Sequence, residues 1–191
     1  MVVSSLACDM PRVSFDQLPH DARVWIFASD RQLQAGDSAD LLSEVDGFLD
    51  QWKAHGAPLR AAREWRDDRF LVVGVDPTAE QASGCSIDVL FRGLRALEQR
   101  LNTSLVAGGR VFYENRTGAI TVASRRDIPA MFDRGDIAGD SRVFDTSLTS
   151  AGAYRESFAL RASDSWVAAL AGQASQASSR AATKSSSARK G

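Results

Sequence analysis

Two stretches of the chain repeat their hydrophobic residues with the spacing of an amphipathic helix. The first consists of Leu41, Leu42, Val45, Phe48, Leu49 and Trp52, and the second of Ile87, Leu90, Leu94, Leu97 and Leu101. Residues three and four positions apart share one helix face, so each repeat predicts a helix with one buried side. Asp37 and Ser38 are candidate caps of the first helix and Gly56-Ala57-Pro58 would end it, while Asn102 would end the second.

Short runs of β-branched and aromatic residues predict strands around these helices. The run from Arg23 to Ala28 predicts a first strand. The run from Phe70 to Val75 is apolar at successive positions, which is typical of an interior strand covered on both faces. Residues 110–114 and 119–123 flank a four-residue turn that ends in Gly118, and this pattern predicts a β-hairpin.

Shorter apolar groups follow the hairpin. Asp127 to Phe132 combines an acidic start with an early proline, which predicts a short helix closed by Gly135. Val143-Phe144 predicts one more edge strand. Asp164 to Leu170 predicts a capped helix that docks Trp166 onto the body of the protein.

These elements predict an α/β fold, formed by a single domain with a mixed sheet, two long helices, a β-hairpin and short C-terminal helical segments. A chain of 191 residues that is 44% hydrophobic is long enough for one such core. We expect the domain to span 13–171, after a disordered leader over 1–12. No large apolar residue follows Gly172, which predicts a disordered Ser/Ala-rich basic tail over 172–191.

Charge and cysteine usage narrow the classes of function. The formal net charge is −1, but the tail holds four of the 23 basic residues and no acid, which leaves 19 basic against 24 acidic residues elsewhere. An acidic body disfavours nucleic-acid binding except through the tail. Cys8 and Cys85 are too few for a disulfide framework or a multi-cysteine zinc site, and we expect neither a metal nor a cofactor.

The chain also shows no sign of export or membrane insertion. Residues 1–10 lack the basic region of a signal peptide, and no run approaches membrane-spanning length. We therefore expect a cytoplasmic protein that does not bind membranes.

The most informative candidate for chemistry is Cys85, which follows the buried strand and opens the second helix. The N–H groups and dipole of a helix start favour a thiolate. Asp88, three residues on, opposes ionisation of the thiol. A small apolar side chain that fills the junction between strand and helix explains Cys85 as well.

Polar residues near Cys85 suggest a binding site. Ser83, Gly84 and Ser86 could present amides and hydroxyls to an anion at the helix start. Asp76 closes the central strand, and we expect it to point toward the crevice at the carboxyl ends of the strands. Its alternative role is turn formation before Pro77.

His55 ends the first predicted helix and is one of two histidines in the chain. It is a candidate general base for Cys85, with Asp88 or Asp76 orienting it. The alternative is a simple C-terminal helix cap.

Five segments of the chain resemble a family of small bacterial proteins of uncharacterised function, often labelled automatically as ABC transporter ATPases. The residues that carry the resemblance are Val24-Trp25-Ile26, Trp52-Lys53-Ala54-His55-Gly56, Arg69-Phe70-Leu71-Val72-Val73, Ser83-Gly84-Cys85-Ser86-Ile87-Asp88 and Ser165-Trp166. Val167 stands where similar proteins tend to have histidine, and Asp145-Thr146 replaces an amide-rich pair. The resemblance covers about Phe15 to Leu170 and implies a shared fold and a shared pocket.

Several motifs are absent from the chain, and their absence excludes common activities. The sequence has no G-x-x-x-x-G-K-[ST], G-x-G-x-x-G, G-x-S-x-G or H-E-x-x-H. An ATP-hydrolysing motor needs a phosphate-cradling loop with its lysine, so ATP hydrolysis is not expected despite the family label.

Three functions of different classes therefore remain open, of which the third is a structural or interaction protein whose basic tail contacts an acidic partner or nucleic acid. The first is a binding module for a small polar or anionic ligand or a protein partner, with a pocket formed by Asp76, Ser83, Gly84 and Ser86. The second is a cysteine-dependent enzyme for acyl or thiol transfer, with Cys85 as nucleophile, His55 as base and Asp88 as its orienting partner.

Overall fold

The structure, a computed structural model, describes residues 12–54, 57–77 and 84–170. Its strands are β1 (Arg23–Ala28), β2 (Lys53–Ala54), β3 (Ala57–Pro58), β4 (Ala61–Arg66), β5 (Phe70–Val75), β6 (Arg110–Glu114), β7 (Ile120–Ser124), β8 (Arg142–Phe144) and β9 (Ala159–Arg161). Its α-helices are α1 (Ala35–Gln51), α2 (Gly84–Leu101), α3 (Ile128–Asp133) and α4 (Ala151–Ser157). Two 3-10 helices, Phe15–Gln17 and Ala162–Asp164, complete the described elements. The mixed α/β class is confirmed.

Backbone contacts divide the chain into two compact units. Unit 1 comprises the described residues of Met1–Val106 together with Thr146–Glu156. Unit 2 comprises Ala107–Asp145 and the described residues of Ser157–Gly191. The prediction of one domain over 13–171 stays a prediction. The predicted leader and tail lie outside the described residues, apart from Arg12.

Unit 1 is built on a three-stranded sheet in the order β1-β5-β4. Both neighbours run antiparallel to β5, and one isolated parallel bridge joins Arg12 to Ala61. All six residues of β5 are buried, as the run of apolar residues predicts. The expected interior strand is therefore confirmed, but its sheet has an antiparallel ladder on each side.

The two faces of this sheet are covered differently. Leu71, Val73 and Val75 of β5 belong to a hydrophobic cluster with the buried residues of α1 and α2. On the opposite face, a Cβ atom placed on Gly74 would lie 2.5 Å from Leu18 Cδ1. Leu18 thus packs so closely on β5 that any side chain at position 74 would have to displace it.

Both long helices occur where the hydrophobic spacing predicts them, although the first one begins earlier and ends earlier, at Gln51 with Trp52 as its C-cap. The predictions that His55 caps this helix and that Gly56 ends it are therefore wrong. α1 starts at Ala35 after Gln34, so Asp37 lies in its first turn and Ser38 is buried inside it. The proposed caps Asp37 and Ser38 are therefore wrong, because the polar residues before the apolar repeat are themselves helical. α2 ends at Leu101, and Asn102 adopts the positive φ of 46° that terminates a helix, as predicted.

An ion cluster fastens α1 to β4. Arg63 of β4 donates from Nε to Asp46 Oδ1 at 2.6 Å and from Nη2 to Asp46 Oδ2 at 2.8 Å. Arg12 Nη1 lies 2.7 Å from the same Oδ1. Hydrogen bonds from Arg63 are the main cause that lowers the pKa of Asp46, so this carboxylate stays charged at neutral pH.

Unit 2 contains a four-stranded antiparallel sheet in the order β7-β6-β8-β9. The β6–β7 hairpin is confirmed, with Gly118 at a φ of 80° in its turn. The expectation that Val143-Phe144 forms an edge strand is wrong. β8 lies between β6 and β9, because Ala159–Arg161 forms a further strand outside it.

A separate hydrophobic cluster holds unit 2 together. It includes Val111, Tyr113, Ile128 and Val143, and Trp166 packs against it. α3 begins at Ile128 and Gly135 follows it with a φ of 74°, as predicted. Trp166 is docked as expected. Among the described residues, no helix is both long and apolar enough to cross a membrane.

Candidate functional site

One end of unit 1 brings together the ends of several elements. Val75, the last residue of β5, pairs with Arg23 at the start of β1 and with Ala61 at the start of β4. The chain then passes through Asp76 toward α2. At the end of α1, the carbonyl of Trp52 accepts a hydrogen bond from Leu59 N at 3.0 Å, beside the β2–β3 hairpin. We refer to this region as the Asp76 end.

Asp76 is buried here and forms an ion pair with Arg60. Arg60 Nη1 donates to Asp76 Oδ2 at 3.2 Å, and the two residues are also joined by Asp76 N donating to Arg60 O at 2.9 Å. The Asp76 side chain is 4% exposed, whereas that of Arg60 is 46% exposed. Arg60 Nη2 donates to Gln17 O at 3.2 Å. The pair therefore places a buried negative charge beneath a half-exposed positive one.

This geometry corrects the expected orientation of Asp76. The crevice at the carboxyl ends of strands is a property of parallel sheets. Since both neighbours of β5 are antiparallel to it, its carboxyl end lies beside the amino ends of β1 and β4. Asp76 does not line a crevice of that type, and its carboxylate is already bonded to Arg60.

The start of α2 lies where the sequence predicts it. The helix begins at Gly84, so Cys85 and Ser86 occupy its first turn, and Asp88 is exposed one turn on. The side chains of Cys85 and Ser86, and the whole of His55 and Ser83, lie outside the described part of the chain. A catalytic pair of Cys85 and His55 therefore stays a prediction.

An aromatic group near the end of α1 was not singled out by the sequence. The rings of Phe48 and Trp52 lie 4.9 Å apart, and those of Trp25 and Trp52 lie 6.0 Å apart. Arg23 covers the Trp25 ring at 4.8 Å. Trp52 is buried and its indole Nε1 has no hydrogen-bond partner among the residues that the structure describes. A buried indole N–H is normally bonded, so this donor is an exception within the described part of the chain.

The opposite end of the same sheet contains a polar cluster with a structural role. Ser29 Oγ lies 2.6 Å from Thr103 Oγ1, which donates to Asp30 Oδ1 at 2.7 Å. Arg31 Nη2 donates to Leu101 O at 2.5 Å and to Asp37 at 2.6 Å. A guanidinium at the last carbonyls of α2 satisfies a helix terminus. This cluster therefore joins α2 to β1.

A second buried polar side chain of unit 1 also has a structural role. Tyr154 of α4 is buried, and burial is the main cause that raises its pKa to about 12. Arg66 Nη1 lies 3.4 Å from the phenolic oxygen. The phenol is therefore neutral near pH 7 and acts as a hydrogen-bonding core residue.

Comparison with family models, with curated proteins and with solved structures finds no match for this chain. The resemblance described above therefore stays a prediction. Within residues 12–54, 57–77 and 84–170, no group of three or more His, Cys, Asp or Glu is placed to hold a metal ion.

Proposed function

We propose that this protein is a cytoplasmic binding module and that the Asp76 end of unit 1 receives a small anionic or polar ligand. The observation that carries this proposal is the half-exposed guanidinium of Arg60 above the buried Asp76. Because Arg60 neutralises the charge of the Asp76 carboxylate, this carboxylate repels an incoming anion less than an exposed, unpaired one would.

Two further groups support an anion rather than a cation. The first N–H groups of α2 have no acceptor within the helix, and the helix dipole favours negative charge there. Arg23, which begins β1, adds a positive charge at the same end of the sheet. The proposed ligand would thus be held by the first turn of α2, while Arg60, which is bonded to Gln17 on the other face of the sheet, would add positive charge at the edge of the same end.

Titration with inorganic phosphate at constant ionic strength tests the proposal. We expect the amide NMR signals of Gly84, Cys85 and Ser86 to shift and to saturate in the millimolar range. In the Ser86→Asp variant the shifts should vanish, because the new carboxylate occupies the same electrostatic position. An acid in the first turn stabilises a helix, so this variant should remain folded.

Gln99→Glu provides the matched control. Gln99 is exposed near the end of the same helix, so the substitution adds one negative charge to α2 away from its start. It should leave the phosphate titration unchanged. Shifts that grow linearly without saturation, or that survive in Ser86→Asp, would contradict the proposal.

A cysteine-dependent enzyme is the second candidate, and the placement of Cys85 in the first turn of α2 favours it. A thiol there loses its proton more easily because the helix dipole stabilises the thiolate. We propose His55 as the base that receives this proton and Asp88 as the group that orients it. The thiolate would then attack an acyl or disulfide substrate and release its leaving group.

Alkylation by iodoacetamide as a function of pH, in a Cys8→Ser background, separates the two candidates. The enzyme hypothesis requires half-maximal labelling of Cys85 at least about one pH unit below the value of a free thiol, about 8.5. His55→Gln should move this midpoint upward. A midpoint at or above that of a free thiol removes the enzyme hypothesis and leaves the binding module intact.

A further inference from the structure

The outer edge of β7 in unit 2 has no neighbouring strand among residues 12–54, 57–77 and 84–170. β7 is the first strand in the order β7-β6-β8-β9 of the described sheet, so β6 pairs with it on one side. The register pairs Phe112 with Val122 and Glu114 with Ile120. The hydrogen bonds at the two ends of this ladder determine which main-chain groups of β7 face outward.

Those bonds show that Ile120 and Val122 direct their main-chain groups away from β6. Asn115 N donates to Ala119 O at 2.9 Å, and Arg125 N donates to Gly109 O at 3.0 Å, both in the register of the hairpin. Bonded and non-bonded pairs alternate along an antiparallel ladder. The bonded positions of β7 are therefore Thr121 and Ala123, and the residues between them present N–H and C=O groups outward.

The residues of β7 itself do not protect this edge against pairing. β7 has the sequence Ile-Thr-Val-Ala-Ser, with no proline and no charged residue. Native proteins normally shield an edge with lysine, proline, a bulge or a covering segment. Ile120 and Val122 are partly exposed, so a partner strand would gain apolar contacts as well as hydrogen bonds.

The charges around the edge are positive. Arg116 lies in the turn before β7, and Arg125 and Arg126 follow the strand directly; all three are exposed. Arg125 lies over the Trp166 ring at 4.9 Å, which fixes one guanidinium near the end of the strand. Asp127 is the next residue along the chain. An acidic partner is therefore favoured over a basic one.

We propose that β7 is a docking site for an extended acidic peptide, which adds to the sheet as a further strand. Main-chain groups of Ile120 and Val122 would bond to the peptide backbone, and the flanking arginines would bind its carboxylates. The chain's own C-terminal tail is basic and would be repelled. A second copy of β7 would bring another set of three arginines to the same edge, which disfavours self-pairing.

Fluorescence anisotropy with a labelled peptide of sequence EVTVEVE tests this site. We expect the peptide to bind the full chain. In the Val122→Pro variant the affinity should fall at least about tenfold, because one main-chain hydrogen bond and the apolar contact of the Val122 side chain are lost. Proline is tolerated there because the N–H of Val122 is not used by β6. Arg116→Gln combined with Arg126→Gln should weaken binding and make it less sensitive to salt.

Ala159→Pro is the matched control. Asp145 N donates to Phe158 O and Ala162 N donates to Ser141 O, so the N–H of Ala159 likewise points away from the sheet, at the β9 edge. This variant should bind the peptide like the unchanged chain. Hydrogen exchange should show slowed exchange at the amides of Ile120 and Val122 when the peptide is bound, a measurement that needs no variant to fold.

Three results would overturn the proposal. The first is equal binding of EVTVEVE by Val122→Pro and by the unchanged chain, or no binding at millimolar peptide. The second is binding of the basic peptide KVTVKVK or of a single-stranded oligodeoxynucleotide at least as tight as that of EVTVEVE. The third is protection of the Ile120 and Val122 amides that rises with protein concentration alone, which would assign the edge to a second copy.

Discussion

Replacing Leu71 with alanine should lower the free energy of unfolding by about 3 kcal/mol, the typical loss for a buried leucine. Leu71 is fully buried in β5, where it pairs with Phe27 of β1 and Trp65 of β4. The cavity would open between the sheet and the two long helices, inside the hydrophobic cluster of unit 1. Urea unfolding followed by circular dichroism measures the change.

Val89→Ala is the control for this prediction. Val89 lies in α2 and is 47% exposed, so its truncation removes little buried surface. We expect a change below about 0.5 kcal/mol. Equal effects of the two substitutions would contradict the placement of β5 as the covered interior strand.

Arg60→Met should destabilise the protein by about 2 kcal/mol at neutral pH, because it removes the guanidinium that pairs with the buried carboxylate of Asp76. The expected loss is below that of a fully buried pair, since Arg60 is half exposed. Protonation of the carboxyl group should recover part of the stability as the pH falls toward about 4. Unfolding curves between about pH 7 and pH 4 measure this trend.

Asp76→Asn completes a double-mutant cycle for the same pair. The amide carries no charge, so the double variant should be more stable than Arg60→Met alone and should lack its pH trend. A destabilisation of Arg60→Met that stays constant with pH, or that persists fully in the double variant, would show that the guanidinium contributes by packing instead of by charge.

Much of the fold could be predicted because its elements have strong local patterns. The leucine repeat predicts α2, and Asn102 ends the helix as expected. The apolar run predicts β5, and the turn before Ala119 predicts the hairpin. In each case the pattern lies within a few consecutive residues, so local hydrophobic periodicity or turn chemistry selects the secondary structure.

Other elements were missed because their local patterns are weak. β4 contains two alanines, two arginines and a glutamate, which do not form a strand pattern, and these residues adopt a strand conformation because they pair with β5. The turn between them places Asp67 and Asp68 at φ values of 54° and 49°. β9 and α4 are short, and contacts with distant residues define them.

The candidate site shows the same division. The start of α2 next to Cys85 was predictable because Cys85 lies between the apolar strand and the leucine repeat. The pairing of Arg60 with Asp76 was not, because their side chains meet only when two strand ends are brought together. The burial of the Trp52 indole N–H, which has no partner among the described residues, was likewise not visible in the sequence.

The sequence by itself determined the α/β class, the two amphipathic helices, the central apolar strand and the hairpin, since these follow from periodicity and turn chemistry. The tertiary structure alone decided that the sheets are antiparallel, that Asp76 is neutralised by Arg60, and that β7 presents an open edge between arginines. The physical reason is that strand order and ion pairing join residues far apart in the chain, which no local pattern specifies.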